Sequence, residues 1–330
     1  LRGMPDAPTA RIPFRVVEGQ VHGAFALGTV QLGMPYGAAN RTGQPPADEG
    51  IRIVRAAIER GVTHVDTARA YGDSERVVGE ALAGAGGGAT VVTKLGVLAH
   101  LPATAAEGAV RDAVDASVLR SCRELRVRRL DVLLLHRWRH RADFGGVAWT
   151  RLNELVAQGV IGALGASVGD PAEAEEALAE PGVKLLQLPF NLLDWRWRRA
   201  GTPALAQARP DVIVHARSAL LQGILAAGPE RWPRVDGAQA AGRVRRLDAL
   251  VTRLGRQSRT DLCLAYVRAQ PWITSTVLGM ETLSQLHENV ALSLRPPLTD
   301  AEMEMVEAEM EGAPEALLDP AAWPPAAKEG

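Results

Sequence analysis

Asp66 closes the apolar run His64-Val65, and Tyr71 follows in a loop that contains Gly72. A carboxylate and a phenol at the mouth of a strand cost stability unless something pairs with them. Two further groups stand at the ends of apolar runs. Lys94 closes VVTK (91–94), and His136 closes DVLLLH (131–136). Together the four can move a proton. A free phenol titrates near ~10, too high for an efficient acid at neutral pH. A cation within roughly 4–6 Å favours the phenolate. Lys94 can be that cation, Asp66 can hold Lys94 charged and oriented, and His136 can donate to a carbonyl oxygen. The set would protonate a carbonyl oxygen while hydride reaches its carbon.

Distant residues meet only if the fold brings them together. Apolar strand-like runs alternate with helical patterns along the chain. Strands are expected at 25–30, 62–66, 90–94, 130–136, 160–167, 183–190, 211–218 and 273–279. Helices are expected at 47–61, 74–84, about 104–125, 147–158, 171–180, near 203–208, 238–255, 260–269 and 282–294. Asp170 is the expected N-cap of the helix that begins at Pro171. Continuous apolar strands are buried on both faces, as in parallel sheets. Eight strand–helix units in this length indicate a single-domain (β/α)₈ barrel over residues 1–330, with irregular segments at 1–22 and 295–330. An open doubly wound sheet is the rival. Chemistry in such barrels sits at the C-terminal strand ends. Read in order, those ends carry Asp66, Lys94, His136, Ser167, Gln187, Arg217 and Gly279.

Bulk properties narrow the function classes. The 330 residues carry a formal net charge of −1, which exerts no global pull toward nucleic acid or membrane. Two cysteines, Cys122 and Cys263, exclude a disulfide framework and suit a reducing cytoplasm. Neither a membrane-length apolar run nor a signal-peptide core is evident.

The pattern resembles the aldo-keto reductase superfamily from about Leu27 to Leu294. GVTHVDTARAYGDSERVVGEAL (61–82) is similar to its aspartate–tyrosine motif, VVTKLG (91–96) to its lysine strand, and DVLLLHRW (131–138) to its histidine strand. LGTVQLGMPYGAANRTGQPP (27–46) and RSALLQG (217–223) resemble a bacterial branch. The resemblance implies the catalytic tetrad Asp66, Tyr71, Lys94 and His136, and a nicotinamide cofactor extended across the barrel mouth. Ser167 and Gln187 match positions that hold the carboxamide. Arg217, Ser218, Leu220 and Gln222 fall in the segment beside the nicotinamide and pyrophosphate. Gln285, Glu288 and Asn289 fall in the adenosine segment that begins at Gly279. Gly28 and Thr29 sit where the first strand touches the cofactor, as does Asp66. Val168 stands where the family often has asparagine, and Arg217 where it often has an aromatic residue. The resemblance favours NADP(H), whereas Glu281 and Gln285, in place of a 2′-phosphate-binding cation, leave NAD(H) open. The substrate expected is a small carbonyl compound or the matching alcohol, polar or sugar-like, met by Arg137, Trp138, Asn191 and Trp195. Oligomeric state is unknown at this level.

Other readings compete. Gly84 to Ala89 fits GxGxxA but follows a helix and precedes a strand, the reverse of a dinucleotide fingerprint. His136, His140 and Asp143 lack a further ligand cluster, so no metal is assigned. Gly165-Ala166-Ser167-Val168-Gly169 fits the GxSxG elbow of a serine hydrolase, with His215 or His287 as its base. That alternative leaves the other four groups unexplained. A non-catalytic cofactor-binding subunit on the same fold would not need the Tyr71–Lys94 pair.

Overall fold

A computed structural model of the chain describes residues 11–17, 19–83 and 88–324. The first strands are a hairpin, β1 (Phe14–Val17) antiparallel to β2 (Gln20–Gly23). Eight parallel strands follow: β3 (Phe25–Gly28), β4 (His64–Asp66), β5 (Thr90–Lys94), β6 (Leu130–Leu135), β7 (Ile161–Ser167), β8 (Val183–Pro189), β9 (Ile213–Arg217) and β10 (Ser275–Gly279). They close in that order, with β10 pairing back onto β3. The chain is a (β/α)₈ barrel, and the open-sheet rival falls.

The helices lie where apolar spacing places them. Ala47–Glu59 buries Ile53, Val54 and Ala57 on one stripe, the i, i+1, i+4 pattern of a core-facing face. Pro171–Ala179 begins at its expected cap, with Asp170 Oδ1 accepting from the Glu173 amide at 3.0 Å. The 25–30 run is shorter as a strand than expected, since Val30 already starts the short helix Val30–Gly33.

Two segments expected to be irregular carry structure. The hairpin β1–β2 lies within 1–22 and runs to Gly23. Helix Asp300–Met310 lies within the tail and buries Val306 and Met310. Arg243 fastens that tail by donating to the carbonyls of Met310 and Gly312. The β-branched residues of FRVV and QVHG, close together in the chain, were the missed signal for the hairpin, and the Thr299–Glu302 capping box for the helix.

The hairpin covers the N-terminal end of the barrel. The Gly23 amide donates to Thr63 Oγ1 at 2.8 Å, and the Gly23 carbonyl accepts from Ser275 Oγ at 2.8 Å. His22 is thereby laid beside His64 of β4 and His215 of β9, and all three are buried. Burial pushes His64 down to about 4 and lowers His22 and His215 in the same direction. Among the described residues no helix is long and apolar enough to cross a membrane. The Gly84–Gly87 part of the GxGxxA match lies outside the described residues.

Candidate active site

The other end of the barrel gathers the four residues with which the sequence reading begins. Asp66 is the last residue of β4 and Lys94 the last of β5, so neighbouring strands deliver them side by side. The Lys94 Nζ donates to both Asp66 carboxylate oxygens at 2.8 Å and to the Thr67 carbonyl at 2.9 Å. Both side chains are buried. Burial alone would lower Lys94, but the negative charge of Asp66, with Tyr71 behind it, prevails and holds the ammonium above its ordinary value. Lys94 is therefore held as the ammonium, against the Asp66 carboxyl oxygens.

Tyr71 projects over this pair. Its ring centroid is 4.8 Å from Lys94 Nζ. The ring meets His136 edge-on, with centroids 5.7 Å apart and planes at 88°. The loop that carries it presses against the end of helix Val30–Gly33. A Cβ on Gly33 would lie 1.9 Å from the Tyr71 carbonyl oxygen, and one on Gly72, at φ +54°, would lie 2.2 Å from the Gly33 oxygen. Both glycines are needed for that approach. Thr29 supports the same corner, since its hydroxyl donates to the Asp66 carbonyl at 2.8 Å and bonds to Ser74 Oγ at 2.6 Å.

His136 follows β6. Burial first, then the charges of Lys94, Arg217 and Arg137, push it down to about 3. The ring is neutral at ordinary pH, so it can donate one hydrogen bond but does not serve as a proton source. Its Nδ1 is buried without a partner.

A cavity of about 1010 Å³ opens above these residues. Its lining includes Gly28, Thr29, Asp66, Tyr71, His136, Ser167, Arg217, Ser218, Leu220 and Gln222, and also Gly279, Gln285, Glu288 and Asn289. Arg137 also lines it. The turn after β9 is held in left-handed backbone at Ser218, Leu221 and Gln222, with φ of 63°, 46° and 54°. Ser218 and Gln222 line the cavity, and strained non-glycine backbone clusters at functional segments. The Arg217 guanidinium leans across the mouth and donates to the Val168 carbonyl at 3.2 Å.

Several expected contacts take another form. Gln187 is fully buried and is not among the lining residues; its Nε2 donates to Asp66 Oδ2 at 2.7 Å. Gln285 lines the cavity, yet its Oε1 completes the capping box of helix Leu283–Ser293. Trp138, Asn191 and Trp195, expected to face substrate, do not line the cavity. The Trp138 indole is buried against Trp149 and donates to Glu176 at 3.0 Å. Asn191 Oδ1 accepts from the Leu193 amide at 3.0 Å, which shapes the turn after β8. The Trp195 indole donates to the Ala313 carbonyl at 2.9 Å and fastens the C-terminal tail.

Unanticipated lining residues are Gln31, Tyr36, Asn40, Arg139, Glu173 and Thr260. The stretch 33–43, with three glycines around Asn40, was the available signal for Tyr36 and Asn40. The competing elbow is not formed. Ser167 ends β7 and the next helix waits until Pro171, while Gly165 is required because a Cβ there would lie 2.2 Å from the Leu185 oxygen. His215 packs against His64, and His287 is exposed on helix Leu283–Ser293. His140 bonds to Asp143 at 2.9 Å and accepts from the Leu98 amide at 3.4 Å, apart from any such chemistry.

Comparisons with known proteins agree with this geometry. The chain is 23% identical over 283 residues to an uncharacterized oxidoreductase, YqkF, of Bacillus subtilis, covering 79% of this chain and 87% of that protein. Over 134 residues it is 35% identical to methylglyoxal reductase YeaE of Escherichia coli, 40% of this chain and 43% of that one. Over 157 residues it is 32% identical to a 6-dehydroglucose reductase of Novosphingobium aromaticivorans, 44% of this chain and 49% of that one. Aldo-keto reductase AKR11C1 of Bacillus halodurans, in its holo form, superposes with a TM-score of 0.73 at 21% identity, over 91% of this chain and 96% of that chain. The glycerol dehydrogenase AKR11B4 of Gluconobacter oxydans does so at 0.69 and 23% identity, over 92% and 95%. These two structural likenesses concern the fold. A model of the Aldo/keto reductase family matches residues 24–311, the span that holds the closed barrel and all four residues of the Asp66–Tyr71–Lys94–His136 cluster. On the strength of that match this chain belongs to the aldo/keto reductase family of oxidoreductases.

Proposed function

We propose that this oxidoreductase interconverts a small polar aldehyde or ketone and its alcohol, with a nicotinamide nucleotide as redox partner. The observation that carries the reading is the buried Asp66–Lys94 pair beneath the Tyr71 ring, with His136 beside it, on the wall of one large cavity. An unpaired polar atom supports a nucleotide in that cavity. Gln31 lines it with a buried Oε1 that has no donor. A carboxamide or amine would supply what it lacks. Ser167, which lines the cavity, would hold the carboxamide. The 217–222 turn would hold the pyrophosphate, and Glu281, Glu288 and Asn289 the adenosine.

When bound in reduced form, the nicotinamide supplies hydride. Tyr71 donates its proton to the substrate oxygen as the carbon gains hydride, and solvent returns that proton afterwards. Lys94 stabilises the phenolate left behind, and Asp66 keeps Lys94 charged. His136 donates a hydrogen bond that fixes the carbonyl oxygen within reach of Tyr71. Arg137 and Arg139 at the mouth suit a substrate rich in oxygen atoms. Several similar proteins bear the names methylglyoxal reductase, 6-dehydroglucose reductase and glycerol dehydrogenase, which favours the polar class.

Glu281 and Glu288 line the adenosine end, where no lysine or arginine of the 279–289 segment is present to meet a 2′-phosphate. We therefore infer that NAD(H) is accepted at least as well as NADP(H). Titration of the purified protein with NADH and NADPH, followed by nicotinamide fluorescence, tests both points. Failure of either to bind folded protein rules out the nucleotide assignment.

A further inference from the structure

The closed end of the barrel holds three imidazoles that the chemistry above does not use. His22 comes from the hairpin, His64 from β4 and His215 from β9, and they are 1%, 4% and 0% exposed. His22 and His64 stack with centroids 4.6 Å apart, and His64 meets His215 edge-on at 5.3 Å. One ring nitrogen from each lies within 4.8 Å of the others. Both nitrogens of His22 and both of His215 are buried with no hydrogen-bond partner. Unpaired polar atoms in an interior are costly, and three imidazoles brought together make no sense as apolar packing.

The geometry points to a binding site for a divalent transition-metal ion of the zinc type, held by His22, His64 and His215. Imidazole nitrogen is the ligand such ions prefer over magnesium or calcium. Three protein nitrogens with an open fourth position is a known tetrahedral arrangement. Nitrogens at a Zn–N distance of ~2.0–2.1 Å stand about 3.3 Å apart, so on binding the nitrogens close in by up to about 1.5 Å and His22 turns out of its stack on His64. His64 is already oriented for ligation. Its Nδ1 lies 2.9 Å from Thr63 Oγ1, the hydroxyl that also accepts from the Gly23 amide. An outer partner of this kind fixes which nitrogen of a ligating histidine faces the metal. His22 is located by Gly23, whose two backbone groups bond to Thr63 and Ser275.

An entry path exists. His22 and His64 line a second cavity of about 450 Å³, together with Val17, Gln20, Asp131 and Lys184. This cavity belongs to the hairpin end, away from Tyr71 and His136. A bound ion would tie the hairpin to strands on two sides of the barrel. It would act on stability through the folded state alone, because the three ligands come together only there.

The test uses the full chain without a histidine tag, stripped with a chelator and titrated with Co²⁺ under visible absorption, then with Zn²⁺ by calorimetry. The expected result is one ion per chain, intense tetrahedral Co²⁺ bands and a raised melting temperature. His22→Gln and His64→Gln should each weaken binding by about 100-fold or more, beyond the usual loss from an outer-shell change. His100→Gln, at an exposed position, should leave it unchanged. His22 sits on the covering hairpin rather than in the barrel wall, so its variant keeps the test readable if His215→Gln does not fold. Absence of stoichiometric binding in wild-type protein overturns the proposal. So does equal binding by wild type, His22→Gln and His64→Gln.

Discussion

The two ends of the barrel differ at their centres: a buried charge pair is satisfied at one, and a cluster of imidazoles is left without partners at the other. At the C-terminal end the buried charges are satisfied from within the chain. Lys94 bonds to Asp66 and to Thr67, and Asp66 is held in addition by Gln187. At the N-terminal end His22 and His215 are equally buried, but their nitrogens have no partner. The contrast separates two kinds of site. A site that must act on a substrate without reorganising carries its own counter-charges. A site whose partners are missing is completed by something that arrives.

The comparison breaks most readily at Tyr71. Tyr71→Phe keeps the ring packing against His136 and removes the proton, so turnover should fall by about 10³-fold or more with folding intact. Near-wild-type rates would mean that the upper cluster is not a proton-transfer group. Next in size is Lys94→Met, which leaves Asp66 buried without its cation. Loss of one partner of such a pair costs about 3–5 kcal/mol, to be read by urea unfolding. The corresponding His22→Gln change in metal-free protein should cost far less, since no internal partner is lost there.

His136 gives a pH test of the upper end. Its value in the folded protein, about 3, lies below its ordinary 6.5. The unfolded chain therefore binds a proton that the native chain refuses, and stability falls as pH drops below about 6.5, levelling off near 3. The loss amounts to roughly 2 kcal/mol between pH 6.5 and pH 5. Unfolding curves across this range should be flatter for His136→Asn, and an unchanged slope would show that the ring is not held neutral. The smallest effect is expected at Glu281, on the wall of the large cavity. Glu281→Arg should shift the ratio of NADPH to NADH affinity by about tenfold toward NADPH, or about 1.4 kcal/mol. No shift would place the 2′-position elsewhere.

Much of this was legible in the residues. Strand–helix alternation follows from local periodicity, which each segment carries by itself. The cap at Asp170 and the stop near Gly61 depend on neighbours in the chain, and both lie where local chemistry puts them. Asp66, Lys94 and Gln187 could be found because a polar residue at the end of an apolar strand is conspicuous. Their roles were less accessible. Gln187 bonds to Asp66 from across the barrel, and no spacing rule reaches that far. Trp138 and Trp195 looked like stacking faces because an indole suits a sugar as well as a core. Burial against Trp149, and a hydrogen bond to a tail expected to be irregular, decided for structure.

The sequence by itself therefore determined the elements and the residues available for chemistry, because hydrophobic periodicity and capping are local. Tertiary structure alone decided the partners. Closing eight strands into a ring sets β4, β5, β8 and β9 around one interior, so charges far apart in the chain come within 3 Å of each other. The same closure, with a hairpin folded under it, brings His22, His64 and His215 together. No local pattern records that meeting, since three isolated histidines in a sequence look like ordinary residues until the barrel closes around them.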